Sequence, residues 1–137
     1  MRDKTNVAVI IFGVIAIILG SVILRNHILS MVYLITTGDH SGYLSGLHGA
    51  IVANTIGIII QSCCIISAIF FIKYYNWARI FLFIYCIFAI FSFIFFTIFS
   101  EIFELGDSPS ILFYLTIIYS LVFLRFSSYP SIKEKFK

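Results

Sequence analysis

The sequence predicts an all-α protein, an integral membrane bundle of four transmembrane helices that forms one domain over residues 1–137. Three observations favour this class. Hydrophobic residues make up 61% of the chain and charged residues 11%, whereas about 25% of the residues in a soluble domain are charged. Four apolar runs are each long enough to span a hydrocarbon core of about 30 Å as helices. The charged residues are sorted between the connections, which is typical of membrane topology.

The first apolar run predicts a helix over residues 7–24. It follows a basic start, as the core of a signal peptide would. It exceeds the length of such a core, about 7–15 residues, and no small-residue cleavage site precedes Arg25. We therefore expect a retained signal-anchor helix. An outer loop is predicted over about residues 25–49, and its apolar segment 28–36 is too short to cross a membrane. That segment extends the helix outward, lies in the interface or caps the bundle.

The other three runs predict helices over residues 50–72, 80–103 and 109–126. Ser108-Pro109 is typical of a helix start, because Ser caps the first turn and Pro lacks the N–H that this turn leaves unpaired. Trp77, Arg79 and Arg125 lie at the ends of these runs. We expect them to anchor the bundle at the membrane surface, where aromatic rings and long basic side chains reach the headgroups.

The distribution of charge predicts the orientation. Eight of the nine Lys and Arg residues lie in the N-terminus, the second connection and the C-terminus, and four of the six carboxylates lie in the first and third connections. Since short basic segments stay in the cytoplasm, both termini are predicted to be cytoplasmic and the protein to lie in the inner (plasma) membrane. No basic cluster of the kind that nucleic-acid binding requires is present, so nucleic acid is not an expected partner.

Small and weakly polar residues predict which helix faces meet, because membrane helices associate through close packing and hydrogen bonds. Helix 1 carries such a face, and so does helix 2, with Gly13, Ala16 and Gly20 on the first and Asn54, Gly57, Gln61, Cys64 and Ala68 on the second. Antiparallel pairing of the two predicted spans puts Gln61 near mid-membrane, level with Gly13 and Ala16. Weaker stripes on the last two helices hold Cys86, Ala89, Ser92 and Ser100, and Thr116 and Ser120.

Gln61 is the most polar residue at mid-membrane, where it serves as a pore or ligand contact or, as we favour, makes an interhelical hydrogen bond of about 0.6 kcal/mol. Neither Cys63-Cys64 nor Cys86 forms a C-x-x-C motif, so we interpret these thiols as small hydrophobic groups rather than a redox pair.

His40 and His48 in the predicted outer loop are the candidates for metal ligands, but no pair of His residues has ligand spacing. We therefore predict no metal and no cofactor. No charged residue lies in the middle third of a span, which disfavours ion-coupled transport. No His shares a predicted helix face with a Ser or Cys, so no catalytic residues are predicted and we do not expect an enzyme.

Two short segments of the chain resemble segments of known membrane proteins. Trp77-Ala78-Arg79 opens the third helix, and Pro130-x-Ile132-Lys133-x-x-Phe136 follows the fourth. The chain resembles small four-helix bacterial inner-membrane proteins of uncharacterised function, which often carry similar segments in these places. The resemblance implies the same fold and membrane, and no activity. The tail is expected to lie on the anionic leaflet as a short basic amphipathic segment.

The predicted function is that of a non-enzymatic multi-pass membrane protein, an accessory subunit, immunity-type protein or scaffold. Its partners are the lipid bilayer and another membrane protein or a second copy of itself. The alternative is a small oligomeric channel or carrier for neutral or apolar solutes, lined by Gln61, Asn54, Thr116 and Ser120. An outer-face metal or redox role is the third hypothesis.

Overall fold

Four long helices account for most of the structure, a computed structural model that describes residues 4–37, 47–102 and 110–136. They are α1 (Lys4–Thr37), α2 (Leu47–Ile72), α3 (Asn76–Ile102) and α4 (Ile111–Ser127), followed by a single turn, α5 (Pro130–Lys133). The predicted all-α bundle of membrane type is thereby confirmed. By length and composition α1, α2 and α3 can cross a membrane, and α4 is a shorter apolar helix of 17 residues.

α1 departs most from the predicted boundaries. The outer loop predicted over residues 25–49 is wrong in part, because residues 25–37 continue α1 and α2 begins at Leu47. Residues 25–37 contain no Gly or Pro, so a helix that is already nucleated adds one hydrogen bond per residue through them. The 34 residues of α1 give a length of about 51 Å, well beyond the hydrocarbon thickness of about 30 Å. Of the three alternatives for segment 28–36, the outward extension of helix 1 is the one observed.

α3 and α4 also begin at positions other than those predicted. α3 begins at Asn76, and thus includes Arg79, instead of beginning at residue 80. α4 begins at Ile111, and Ser110 precedes it in an extended conformation without a side-chain capping bond. The predicted helix start at Ser108-Pro109 lies outside the described residues.

The four long helices form two antiparallel hairpins, α1 with α2 and α3 with α4. α2 packs against α3, and α4 makes a smaller contact with α1 that closes the bundle. The first and last described residues, Lys4 and Phe136, lie with the turn over residues 73–75 at one end, which we call the terminal end; the opposite end is the distal end. At the turn Tyr74 has a φ of 64°, and its N–H donates to Phe71 O over 2.9 Å. This left-handed residue ends α2 and allows α3 to reverse direction.

The core fills the terminal half of the bundle. Its largest fully buried side chains include Phe71, Leu82 and Phe123, one from each of α2, α3 and α4. Phe71 meets Phe123 edge to face with ring centroids 5.4 Å apart, and Phe12 of α1 stacks on Phe126 at 4.5 Å. Aromatic contacts therefore join the two hairpins at this end.

Glycines set the register of α1 against α2. A Cβ at Gly13 would overlap the Ile72 side chain, and one at Gly20 would lie 3.0 Å from Ile65 Cγ1 and 3.9 Å from Gln61 Oε1. Gln61 is thus level with Gly20, and the prediction that it would be level with Gly13 and Ala16 is wrong. That prediction paired the midpoints of two spans of similar length. Because α1 continues to Thr37, α2 lies further toward the distal end of α1 than that pairing would place it.

The C-terminal tail folds back under the bundle. Ile132 is 2% and Phe136 7% exposed, and the Phe136 ring stacks on Phe71 with centroids 5.0 Å apart. Lys135 Nζ donates to Asn6 Oδ1 over 2.9 Å. The apolar side chains of the tail thus pack on the bundle, and the position of the tail on the anionic leaflet stays a prediction. The turn that begins at Pro130 directs Ile132 and Phe136 toward the aromatic end of the core, where Phe136 packs against another ring.

Candidate functional site

A cavity of about 400 Å³ lies between the two hairpins, distal to the aromatic core. Its volume falls within the range of about 300–1,000 Å³ found for small-molecule sites. Side chains of all four long helices and one residue before α4 line it: Ile23, Asn26, His27, Gly57, Ile60, Gln61, Tyr85, Phe88, Ala89, Ser92, Ser110, Leu112, Phe113, Thr116 and Ile117. The lining is mostly apolar, with polar groups at a few positions.

Gln61 and Tyr85 form the inner end of the cavity. Gln61 is 7% exposed. Its Nε2 donates to Tyr85 Oη over 3.1 Å, and Tyr85 Oη lies 3.3 Å from Gln61 Oε1, to which it donates. The sequence predicted an interhelical bond for Gln61 in the seam with helix 1, but its partner lies on α3. Tyr85 was missed because its hydroxyl stands in an aromatic-rich stretch of α3 that gives no sign of a polar contact.

The polar groups just beyond this pair bond within their own helix. Thr116 Oγ1 donates to Leu112 O and Ser120 Oγ donates to Thr116 O, each over 2.8 Å. Cys64 and Cys86 are buried and free, and Cys63 is exposed. Thr116 lines the cavity whereas Ser120 does not, so one of these two predicted lining residues lies in the cavity wall.

His27, Asn54 and Ser30 form a polar chain near the distal end of the cavity. His27 Nδ1 lies 3.1 Å from Asn54 Oδ1, and Asn54 Nδ2 donates to Ser30 Oγ over 3.3 Å. Gly57 makes room for the imidazole, since a Cβ there would lie 2.7 Å from His27 Nδ1. Asn54 itself does not line the cavity.

The continuation of α1 corrects one sequence-based statement, that no His shares a helix face with a Ser. His27 and Ser30 are one turn apart on the same face of α1 and are joined through Asn54. The missed signal was the spacing of three residues between them, which becomes meaningful only when residues 25–37 are helical.

The candidates for metal ligands fall where little is described. Within residues 4–37, 47–102 and 110–136, no group of three or more His, Cys, Asp or Glu residues could hold a metal ion. His40 lies outside these ranges, and the side chain of His48 is not described.

The three expected interface anchors occupy different environments at the terminal end. Trp77 is 48% exposed, and the exposed Arg125 places its guanidinium carbon 5.5 Å from the Tyr129 ring centroid. Arg79 is half-buried. It donates to Asn76 Oδ1 over 3.0 and 3.2 Å and to Ser127 O over 3.3 Å, so it also joins α3 to α4.

The helices define the class of this chain. Three to four of them are apolar and long enough to span a membrane, as in a multi-pass membrane protein. Comparison with known proteins finds no match to this chain among family models, curated proteins or solved structures.

Proposed function

We propose that this chain is a non-enzymatic multi-pass membrane protein that binds a small, uncharged, largely apolar molecule in the cavity between its hairpins. The observation that carries the proposal is the cavity itself, about 400 Å³ in volume and closed at one end by Gln61 and Tyr85. Among the two leading sequence-based hypotheses, this favours the one for neutral or apolar solutes over a purely accessory role.

The lining defines the chemistry of the ligand. Its described residues carry no Asp, Glu, Lys or Arg, so a charged ligand would be buried there without a counter-ion, at high cost. The amide of Gln61 and the hydroxyl of Tyr85 both donate and accept hydrogen bonds. A ligand with one alcohol, amide or carbonyl group and an apolar body matches this arrangement.

A binding site or carrier fits the cavity better than a pore through one copy of the chain. On the terminal side of Gln61, the space between the hairpins is filled by Phe71, Leu82 and Phe123. A solute held in the cavity would have to leave by the side through which it entered, unless the two hairpins moved apart at the terminal end.

The polar groups near the cavity support a non-enzymatic role. His27 and Ser30 are joined through the Asn54 amide, which donates to the Ser30 hydroxyl. Nucleophilic catalysis needs the hydroxyl to donate to the base directly. Here Asn54 lies between His27 Nδ1 and Ser30 Oγ, so the hydroxyl does not donate to the imidazole directly.

The membrane and the orientation belong to the same proposal. The described basic residues of the terminal end include Lys73, Arg79, Arg125, Lys133 and Lys135. The excess of Lys and Arg supports an inner (plasma) membrane protein with both termini in the cytoplasm, and the cavity then faces away from the cytoplasm.

An accessory or scaffold role is the second candidate. The observation in its favour is a row of large exposed side chains on α3 outside the cavity, with Ile84 60%, Phe91 69% and Phe95 62% exposed. A second copy or another membrane protein would pack on this row. The small residues that favour close helix contacts are engaged inside the chain instead, as with Gly13, Gly20 and Gly57, which ranks this role second.

A photoreactive fatty alcohol tests the proposed site. In detergent or vesicles, a diazirine-bearing alkyl alcohol should cross-link to peptides of α2, α3 and α4 that line the cavity. Ala89→Leu fills the cavity and should reduce the cross-linking severalfold. Gln61→Leu with Tyr85→Phe should lower it to the level of the matched diazirine-bearing alkane, because the hydrogen bond to the alcohol is lost.

The matched control is Ala53→Leu, which adds the same volume on an exposed position of α2. It should leave cross-linking unchanged. Equal cross-linking in Ala89→Leu and Ala53→Leu, with the label mapped to lipid-facing peptides, would contradict a ligand site. Co-purification of a membrane protein that is lost in Phe91→Ala and kept in Ala89→Leu would favour the accessory role.

A further inference from the structure

A second, smaller pocket of about 210 Å³ lies at the terminal end, on the side of the bundle where α3 begins and α4 and the tail end. It is separate from the ligand cavity and shares no residue with it. Arg79, Ile80 and Phe83 of α3 line it together with Ser127, Ser128 and Lys133. We propose that this pocket binds the phosphate group of an anionic membrane lipid.

Two basic side chains supply the charge. The Arg79 guanidinium is held in place by Asn76 Oδ1 and by Ser127 O, and these bonds use only part of its five donors. The Lys133 side chain is exposed and makes no ion pair or hydrogen bond with any residue that the structure describes. A fixed guanidinium together with an exposed ammonium suits phosphate, since the first orients it and the second adds charge.

Ser127 gives the independent observation that points to a ligand. It is fully buried, and its Oγ is a buried side-chain oxygen without a hydrogen-bond partner in the described part of the chain. A buried hydroxyl without a partner is unfavourable. Ser127 also lines the pocket, and its carbonyl already fixes Arg79 there. A rotation of the Ser127 side chain toward the pocket would let a phosphate oxygen accept from this hydroxyl.

The surroundings favour a lipid as the source of the phosphate. Ile80 lines the pocket and is 46% exposed. It follows Arg79 on α3 in the direction of the membrane interior, where acyl chains would lie. Trp77 and Tyr129, both 48% exposed, stand at the same end, and such residues mark the headgroup level. Basic pockets between helices at this level are known to hold anionic headgroups. The carboxylate of Glu134 is exposed and does not line the pocket.

Trp77 provides the measurement, because it is the single Trp of the chain and lies two residues before Arg79. The full-length protein is placed in phosphatidylcholine vesicles that contain a small fraction of brominated phosphatidic acid or, in parallel, of brominated phosphatidylcholine. Trp77 should be quenched more strongly by the phosphatidic acid. This preference should weaken roughly fivefold in Lys133→Gln, the factor that corresponds to about 1 kcal/mol for one basic side chain near an anionic surface.

Three variants separate the pocket from general surface charge. Lys73→Gln removes the same charge from outside the pocket, where Lys73 Nζ lies 5.7 Å from the Phe70 ring centroid. It should therefore reduce the preference for phosphatidic acid less than Lys133→Gln does. Ser127→Ala changes no charge and should also reduce the preference. Arg79→Lys keeps the charge and loses the planar fork, and it should reduce the preference as well.

Two results would overturn the proposal. One is a preference that Lys133→Gln and Ser127→Ala lower no further than Lys73→Gln does. The other is a preference that millimolar inorganic phosphate abolishes, since the pocket would then serve soluble phosphate and not a lipid. Retention of the preference in inorganic phosphate, together with its loss in Lys133→Gln and Ser127→Ala, supports the lipid site.

Discussion

Close packing around single glycines determines how the first hairpin fits together. At Gly57 the nearest atoms to an added Cβ would belong to the His27 imidazole, a flat ring that also bonds to Asn54. At Gly20 the neighbour would be the Ile65 side chain, with Cγ1 at 3.0 Å. An aliphatic chain can shift by a few tenths of an ångström more easily than a hydrogen-bonded ring can. The two glycines therefore differ in how much they tolerate a larger residue.

Gly57→Ala should destabilise the protein by about 1–3 kcal/mol, as overpacking does in well-packed interiors. Gly20→Ala should cost less. Adding His27→Ala to Gly57→Ala should recover most of the loss, because it removes the ring that the new methyl group would meet. A double-mutant cycle on unfolding in detergent micelles measures these terms. Equal losses in Gly57→Ala with and without His27→Ala would contradict the contact.

Gln61 shows how far residue-level reasoning reaches. Its place near the middle of an apolar helix indicated that its amide would find a partner on another helix, because an unbonded amide in hydrocarbon is unfavourable. That the partner is Tyr85 could not be predicted. The choice depends on the rotation of α2 relative to α3, and a hydroxyl in an aromatic run carries no such information.

At the scale of elements, the C-terminal tail acts as a covering for the aromatic end of the core. Phe136 stacks on Phe71 and packs against Tyr74, with centroids 5.5 Å apart. The Arg79 guanidinium carbon lies 5.8 Å from the same ring. The single turn of α5 is too short to be stable alone, so it is these contacts that hold it.

Phe136→Ala should lower stability by about 3 kcal/mol, the loss typical of a large aromatic side chain removed from a core. Phe136→Leu should lose much less, since it keeps most of the apolar volume. Glu134→Ala, on the exposed side of the tail, serves as the control and should have little effect. Thermal unfolding in detergent compares the three variants. If Phe136→Ala melts at the temperature of Glu134→Ala, the tail does not pack on the core.

α1 explains why helix boundaries were predicted less well than helix existence. The apolar run over residues 7–24 marked where the chain crosses the membrane, and Arg25, Asn26 and His27 looked like the start of a loop. A polar triplet can mark the membrane surface without ending a helix. Backbone hydrogen bonds continue across it when no Gly or Pro intervenes.

At the scale of the whole molecule, the charges of the two ends predict the direction of insertion. Thr36 lies near the distal end of α1 and Ser131 lies in the tail, and both are exposed. In a background with Cys63→Ser, a membrane-impermeant maleimide should label Thr36→Cys in intact cells. It should label Ser131→Cys only after lysis. The reverse pattern would contradict the proposed orientation.

The two ends of the bundle also differ in packing. At the terminal end, aromatic rings from α1, α2, α4 and the tail fill the interior together with Leu82 of α3. Toward the distal end the hairpins separate around the cavity of about 400 Å³. The sequence pointed to a polar lining by Gln61 and Thr116, which do line it, and by Asn54 and Ser120, which do not.

The membrane class and the helical nature of the runs followed from composition alone, because a bilayer leaves an apolar segment no other way to satisfy its backbone hydrogen bonds. The sorted charges likewise predict an orientation without any knowledge of contacts. Offset and rotation of the helices could not be derived in this way. Contacts between membrane helices are individually weak, so many arrangements of the same seams are close in energy. The pairing of Gln61 with Tyr85, the bridge from His27 to Asn54, the tail beneath Phe71 and the cavity between the hairpins all depend on the one arrangement that satisfies these contacts together.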